Sequence, residues 1–198
     1  MVTYHSELIR WNKKINLTGL RGEREIMIKL FLDALTPLSH LNPAPGARWI
    51  DVGTGAGFPG LVLKIGRPDL KMVLVEATGK KISFLHQMIG LLRLEGVLVV
   101  HERIEHLRGP DWERRFNLLI SRALNPAIVL KYAPRFLRPD GKVLLFQGRP
   151  DTLHLKTLLE KEPSLTFEKT VPISLPFADL PRSLLLLRLD PRPSQGCE

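Results

Sequence analysis

The residues with the clearest chemical potential form one run, Asp51-Val52-Gly53-Thr54-Gly55-Ala56-Gly57-Phe58-Pro59-Gly60. Its four glycines follow one apolar segment and precede another, and a backbone so free of side chains can pass close to a bound ligand. Two ligand classes use such a loop, dinucleotides and S-adenosylmethionine. Gly55, Gly57 and Gly60 satisfy the G-x-G-x-x-G spacing of dinucleotide sites, so spacing alone does not choose between them. Charge helps. A pyrophosphate at a helix N-terminus needs backbone N–H groups facing it, and a carboxylate from Asp51 in the same partly desolvated pocket would repel it. S-adenosylmethionine carries no phosphate, and its ammonium and sulfonium both favour a carboxylate, met directly or through a water. The bland alternative for Asp51 is a turn cap. Glu76, about twenty residues beyond the loop, ends the next apolar run, where a carboxylate accepts from both ribose hydroxyls in nucleoside-binding α/β folds. It points to a nucleoside without saying which, and its alternative is a surface acid paired with Lys80 or Lys81.

The elements that must hold these residues alternate. The pattern predicts strands over 48–52, 72–76, 97–101, 116–121 and 142–147, with helices over 60–65, 80–94, 126–136 and 152–161. Two final strands, 165–173 and 182–189, have no helix between them and read as a terminal antiparallel pair. Repeated strand–helix units imply an α/β fold, a mostly parallel seven-stranded sheet covered on both faces. Ligands of such sheets bind at the carboxyl ends of the strands, here after Asp51, Glu76, His101 and Ser121. The first forty residues read as helical, interrupted at Thr18-Gly19, with Leu8, Trp11, Ile15, Ile26, Leu30 and Phe31 near the helical period. The expected organisation is a helical extension over 1–42, a catalytic domain over 46–190, and a frayed tail over 191–198.

Composition narrows the class. The 198 residues hold 29 Lys and Arg against 20 Asp and Glu, a net charge of +9 that favours polyanionic partners. No apolar run approaches a membrane span, and the start MVTYHSELIRW lacks the apolar core of a signal peptide. The one cysteine, Cys197, excludes an intrachain disulfide. A cytoplasmic enzyme without a metal is expected. Lys13, Lys14, Arg21 and Arg24 on the extension are candidates for RNA phosphate contacts, with a merely solvated face as the alternative. Asn12 and Asn16 read as caps before base readers, and Trp11, Trp49 and Trp112 as packing before stacking platforms.

Five segments in order, Trp11-Asn12-Lys13-Lys14-Ile15-Asn16-Leu17-Thr18, Phe31-Leu32-Asp33, Asp51 to Gly60, Gly79-Lys80-Lys81-Ile82-Ser83-Phe84-Leu85 and Ser121-Arg122-Ala123, resemble the bacterial 16S ribosomal RNA guanine-N7 methyltransferases, the glucose-inhibited division protein B family. The resemblance runs from about Leu8 to Asp190. It implies a class I (Rossmann-like) methyltransferase fold with a helical extension, S-adenosylmethionine as cofactor, and a guanine near the decoding site of the small ribosomal subunit as substrate. It further implies that Gly53 and Phe58 line the cofactor site beside Asp51, Gly55 and Gly57. Ile104 and Glu105 would flank the adenine, and Arg122 would contact the cofactor. Read without the family, Glu105 is equally a helix N-terminal acid and Arg122 a surface charge.

The chain departs from the family in carrying Lys29-Leu30 where members have Arg-His, and Gln147-Gly148 where they have Lys-Gly. Its N-terminus also lies one helix further in. The expected partner is 16S rRNA, alone, in the subunit or in an assembly intermediate, met by a monomer. Two other functions compete. An NAD-dependent oxidoreductase would need a proton relay, for which only His101 stands at a strand end. A non-catalytic RNA-binding or assembly factor would keep the cofactor site without turnover.

Overall fold

A computed structural model describes residues 1–149 and 151–190, so the tail expected over 191–198 lies outside the described residues. Seven strands, β1 (Arg48–Val52), β2 (Lys71–Glu76), β3 (Val97–His101), β4 (Phe116–Ser121), β5 (Leu137–Gln147), β6 (Leu165–Leu175) and β7 (Ala178–Leu189), form one sheet in the order β3-β2-β1-β4-β5-β7-β6. The first five run parallel, and β7 lies antiparallel between β5 and β6. β1 is flanked by β2 and β4, so the strand order reverses at the glycine loop that follows it. The expected α/β architecture with its terminal antiparallel pair is the one observed.

Most elements keep the predicted bounds, and the exceptions have local causes. The helix α5 (Gly79–Leu91) stops before residue 94 because Arg93 takes a left-handed φ of 50°. Its N–H bonds Gly90 O while the N–H of Leu94 reaches back to Ile89 O, a Schellman-type ending made without glycine. β5 begins at Leu137, directly after α6 (Pro126–Phe136), with Leu137 opposite Phe116. The hairpin of β6 and β7 reaches Leu175 and Ala178, closing over Phe177 at φ 63°. Pro172, inside the predicted strand, sits on the edge strand β6, where a missing N–H is tolerated.

The extension is less continuously helical than its periodicity suggests. α1 (Val2–Asn12) is followed by a loop, then by one helical rod that opens as α2 (Glu23–Ile26), widens into a π turn (Met27–Leu32) and closes as α3 (Asp33–Leu35). The loop is organised by Asn12, whose Oδ1 accepts from the amides of Leu17 and Thr18 and whose Nδ2 donates to Thr18 O. Asn12 is thus engaged with the backbone of the following loop and caps neither α1 nor α2.

Two apolar cores cover the sheet. On one face α1, the helical rod, α4 (Gly60–Gly66) and α5 pack Tyr4, Leu8, Phe31, Trp49, Leu61 and Phe84 together. On the other, α6 and α7 (Thr152–Lys161) cover Ile50, Leu119, Phe136 and Leu187. The extension therefore has no core of its own; its apolar side chains belong to the sheet's. Trp11 packs on Phe84, and Trp49 is buried, so both are packing residues; Trp112 lies half-buried against the second core. Among the described residues no helix is long and apolar enough to cross a membrane.

One bond ties the extension to the glycine loop: the buried Tyr4 hydroxyl donates to Ala56 O. Burial, aided by the nearby Asp51 charge, holds that hydroxyl well above the usual phenol range, so it remains a donor. Tyr4→Phe leaves the carbonyl unpaired in the core and is expected to cost about 1–2 kcal/mol of stability. A urea midpoint equal to that of the wild type, at unchanged slope, would show that the bond contributes nothing.

Candidate functional site

The glycine loop is built outward from Asp51, which is fully buried at the end of β1. Its Oδ2 accepts from the Thr54 hydroxyl at 2.6 Å and from the Gly60 amide at 2.7 Å, joining the loop's start to the first residue of α4. Its Oδ1 is buried without a partner. Burial raises the carboxyl to about 6, opposed by the two hydrogen bonds and by the Arg122 charge. The turn-cap reading of Asp51 thus accounts for one carboxylate oxygen and leaves the other without a partner.

At the end of β2, Glu76 accepts from the Gly55 amide and the Thr78 amide, both at 2.9 Å. The amides of Gly53 and Thr54 bond Val75 O, so the loop is pinned along β2 as it leaves β1. Gly53, at φ 71°, could carry no Cβ without bringing it within 2.6 Å of Leu124 Cγ. Gly55, at φ 62°, has nothing within 4 Å of that position, leaving backbone open for a ligand to approach.

Between these strand ends lies a cleft of about 300 Å³, at the lower end of the sizes that hold small ligands. Gly53, Glu76, Ile104 and Glu105 line it, with Lys81 and Leu124. Ile104 and Glu105 come from a short 3-10 turn after β3; Ile104 is buried and Glu105 half-buried. The other expected residues stand differently. Gly57 and Phe58 lie behind the loop: a Cβ on Gly57 would strike the Tyr4 hydroxyl, and the Phe58 ring stacks on Tyr4 at 5.3 Å and meets Phe31 edge-on at 5.0 Å. The Phe58 ring therefore has its place in the core, where aromatic packing holds it.

Arg122 follows β4 and is not a surface charge. Its Nη2 lies 3.0 Å from Asp33 Oδ2 and donates to Lys29 O, while Nη1 is buried without a partner. Arg182 of β7 approaches the same Asp33 oxygen at 3.7 Å. Sequence reasoning does not single out Asp33 or Arg182. Asp33 stands inside the Phe-Leu-Asp segment, but only the fold brings it to Arg122. The departures from the family pattern are harmless to packing: Lys29 pairs with Glu25, Leu30 packs on the first core, and Gln147 lies opposite Ser183. Lys13, Lys14, Arg21 and Arg24 are all exposed.

The switch-point loop, the acidic ends of β1 and β2 and the terminal antiparallel strand define the fold of class I S-adenosylmethionine-dependent methyltransferases. A solved S-adenosylmethionine-dependent methyltransferase from Aquifex aeolicus is similar with a TM-score of 0.64 at 15% identity, over 82% of this chain and 92% of that one. The [4+2]-cyclase SpnF is similar too, with a TM-score of 0.66 at 14% identity over 80% of each chain, so the fold by itself does not fix the reaction. Sequence is more specific. The family model described as rRNA small subunit methyltransferase G matches residues 1–185. The protein of that name from Caldanaerobacter subterraneus subsp. tengcongensis is 36% identical over 97% of this chain and 82% of its own length. That from Thermoanaerobacter sp. is 34% identical over 93% and 79%. The match to the one from Dictyoglomus thermophilum, at 41% identity, spans 76% of this chain and 63% of that protein. The chain belongs to the rRNA small subunit methyltransferase G family.

Proposed function

We propose that this protein transfers the methyl group of S-adenosylmethionine to N7 of a guanine in 16S rRNA, near the decoding site of the small ribosomal subunit. The observation that carries the cofactor half is Asp51: its buried carboxylate, bonded to the Gly60 amide, stands beside the start of α4, where a dinucleotide would place an anionic pyrophosphate. What remains is a buried anion with a free oxygen, suited to a cationic ligand. The arrangement disfavours an oxidoreductase. His101, its only relay candidate, is engaged with Ala77 O through Nε2. The rRNA half is supported by the names of the family members.

The residues fit S-adenosylmethionine as a set. Glu76 would take the ribose hydroxyls, Ile104 and Glu105 the adenine, and Asp51 and Arg122 the ammonium and carboxylate of the methionine end. When bound, the cofactor supplies a methyl group on a sulfonium. Guanine N7 has a free lone pair and no proton, so no side chain need act as a general base. The protein's task is to hold donor and acceptor in line at near-attack distance. Charge moves from sulfur to base without being created, which suits the apolar walls that Leu124, Ile104 and Ile128 give the cleft. The base must enter unpaired, as RNA loops permit.

Lys13, Lys14, Arg21 and Arg24 serve in this reading as phosphate contacts. Replacing all four by alanine is expected to raise KM for RNA about tenfold or more and to flatten the salt dependence by about 0.7 in slope for each phosphate no longer neutralised. The value of kcat should stay within about twofold, since these side chains position the RNA without touching the chemistry. Unchanged KM and slope would move the RNA surface elsewhere. The whole proposal is tested by transfer of tritiated methyl to small subunits, and to rRNA stripped from them, taken from a strain lacking its own enzyme. Label in 16S rRNA supports it. Cofactor binding with no label in either substrate favours the non-catalytic binding factor.

A further inference from the structure

The buried cluster of Asp33, Arg122 and Arg182 has a cost that packing does not explain. Asp33 has a side chain only 3% exposed and comes from the helical extension; Arg122 is 16% exposed and comes from the end of β4. Removing two charges from water is expensive, and such a pair seldom stabilises a fold more than apolar residues of the same shape would. What it does supply is a fixed position for each partner.

The local geometry is arranged around one nitrogen. Through the π turn the Asp33 amide donates to Ile28 O, five residues back, and to Leu30 O, instead of to Lys29 O as in a regular helix. Lys29 O accepts from Arg122 Nη2, and Asp33 Oδ2 meets that same nitrogen at 3.0 Å. One helix therefore grips Arg122 by Nη2 and leaves Nη1 buried and unpaired, while across the loop Asp51 Oδ1 is likewise buried and unpaired. The neighbours of Arg122 reach the cofactor loop directly: the Ser121 hydroxyl donates to Val52 O at 3.0 Å, and Ala123 and Leu124 line the cleft.

We propose that Asp33 is a positioning residue for methyl transfer: from the helical extension it orients the Arg122 guanidinium so that its free edge, with Asp51, receives the charged methionine end of the cofactor. The extension is then part of the cofactor site as well as a surface for RNA. This rests on the methyltransferase reading above. Arg182 shares Asp33, its Nε lying 3.7 Å from the same oxygen.

The test is S-adenosylmethionine affinity, measured by calorimetry without RNA, for wild type, Asp33→Asn, Arg122→Gln and the double variant, each with its urea midpoint. Asparagine keeps the size of Asp33 and an acceptor oxygen, so the variant has the means to fold. Asp33→Asn is expected to weaken cofactor binding about tenfold, and to weaken it little further once Arg122 is already glutamine. A lower urea midpoint with unchanged affinity would assign Asp33 to stability alone and overturn the inference while the methyltransferase reading stands. Equal losses from Asp33→Asn in both backgrounds would also overturn it, because Asp33 would then not act through Arg122. A folded wild type that does not bind the cofactor would remove the reading itself and the inference with it.

Discussion

Gly53→Asp is expected to lower kcat/KM by about 100-fold or more. Two costs combine. A side chain at φ 71° takes a left-handed conformation that costs about 1–2 kcal/mol. The new Cβ would stand 2.6 Å from Leu124 Cγ, and repacking an overfilled site costs about 1–3 kcal/mol. Leu124 lines the cleft, so displacing it disturbs the proposed cofactor site. Gly55→Ala separates the two costs. Its φ of 62° carries the backbone penalty, but nothing lies within 4 Å of the added carbon, and a loss of about tenfold is expected. If Gly53→Ala proves no worse than Gly55→Ala, contact with Leu124 is not what requires a glycine there.

Asp51→Ala is expected to be the most damaging single change to the fold of the site. It strands two buried donors, the Thr54 hydroxyl and the Gly60 amide, at about 1–3 kcal/mol each. Against a usual stability of about 5–15 kcal/mol this leaves a marginal protein, so the variant should melt early and bind no cofactor. Asp51→Asn isolates the charge, because an amide oxygen can still accept both bonds. Here pH gives the sign. The folded carboxyl titrates near 6, above its unfolded value of 3.8, so the group favours folding fully below the unfolded value and that contribution is lost as pH rises through about 6. Cofactor binding runs the other way: a cationic ligand favours the ionised form, so affinity should rise through about pH 6 and level above it. In Asp51→Asn the rise should vanish while stability at neutral pH holds or increases. Wild-type affinity that is flat across this range would mean that Asp51 carries no charge-dependent role toward the ligand.

How much of this is legible in the sequence depends on whether the signal is local. The strands 48–52, 97–101 and 116–121 announce themselves as short apolar runs with turn residues at their ends, and α6 by Asn125-Pro126, where Asn125 caps the helix and Pro126 opens it. Asp51 and Glu76 are readable because they end such runs beside a glycine loop. Where a boundary depends on a non-glycine residue in a left-handed conformation, as at Arg93 and Phe177, the sequence carries no marker. Nor can it tell which part of a loop packs inward, so Gly57 and Phe58 read like Gly53 although Tyr4 and Phe31 surround them. Long-range partners are the least accessible. Nothing near Asp33 in sequence indicates that Arg122 and Arg182 will meet it, because that meeting is created by the helical rod crossing the ends of β4 and β7.

The most direct measurement is the mass spectrum of nucleosides from 16S rRNA of small subunits taken from a strain lacking its own enzyme, after incubation with S-adenosylmethionine and this protein. A new 7-methylguanosine is expected with the wild type and none with Gly53→Asp. A methyl group on another base or another guanine atom would contradict the proposed chemistry, and the absence of any new methylated nucleoside would contradict the proposed reaction altogether.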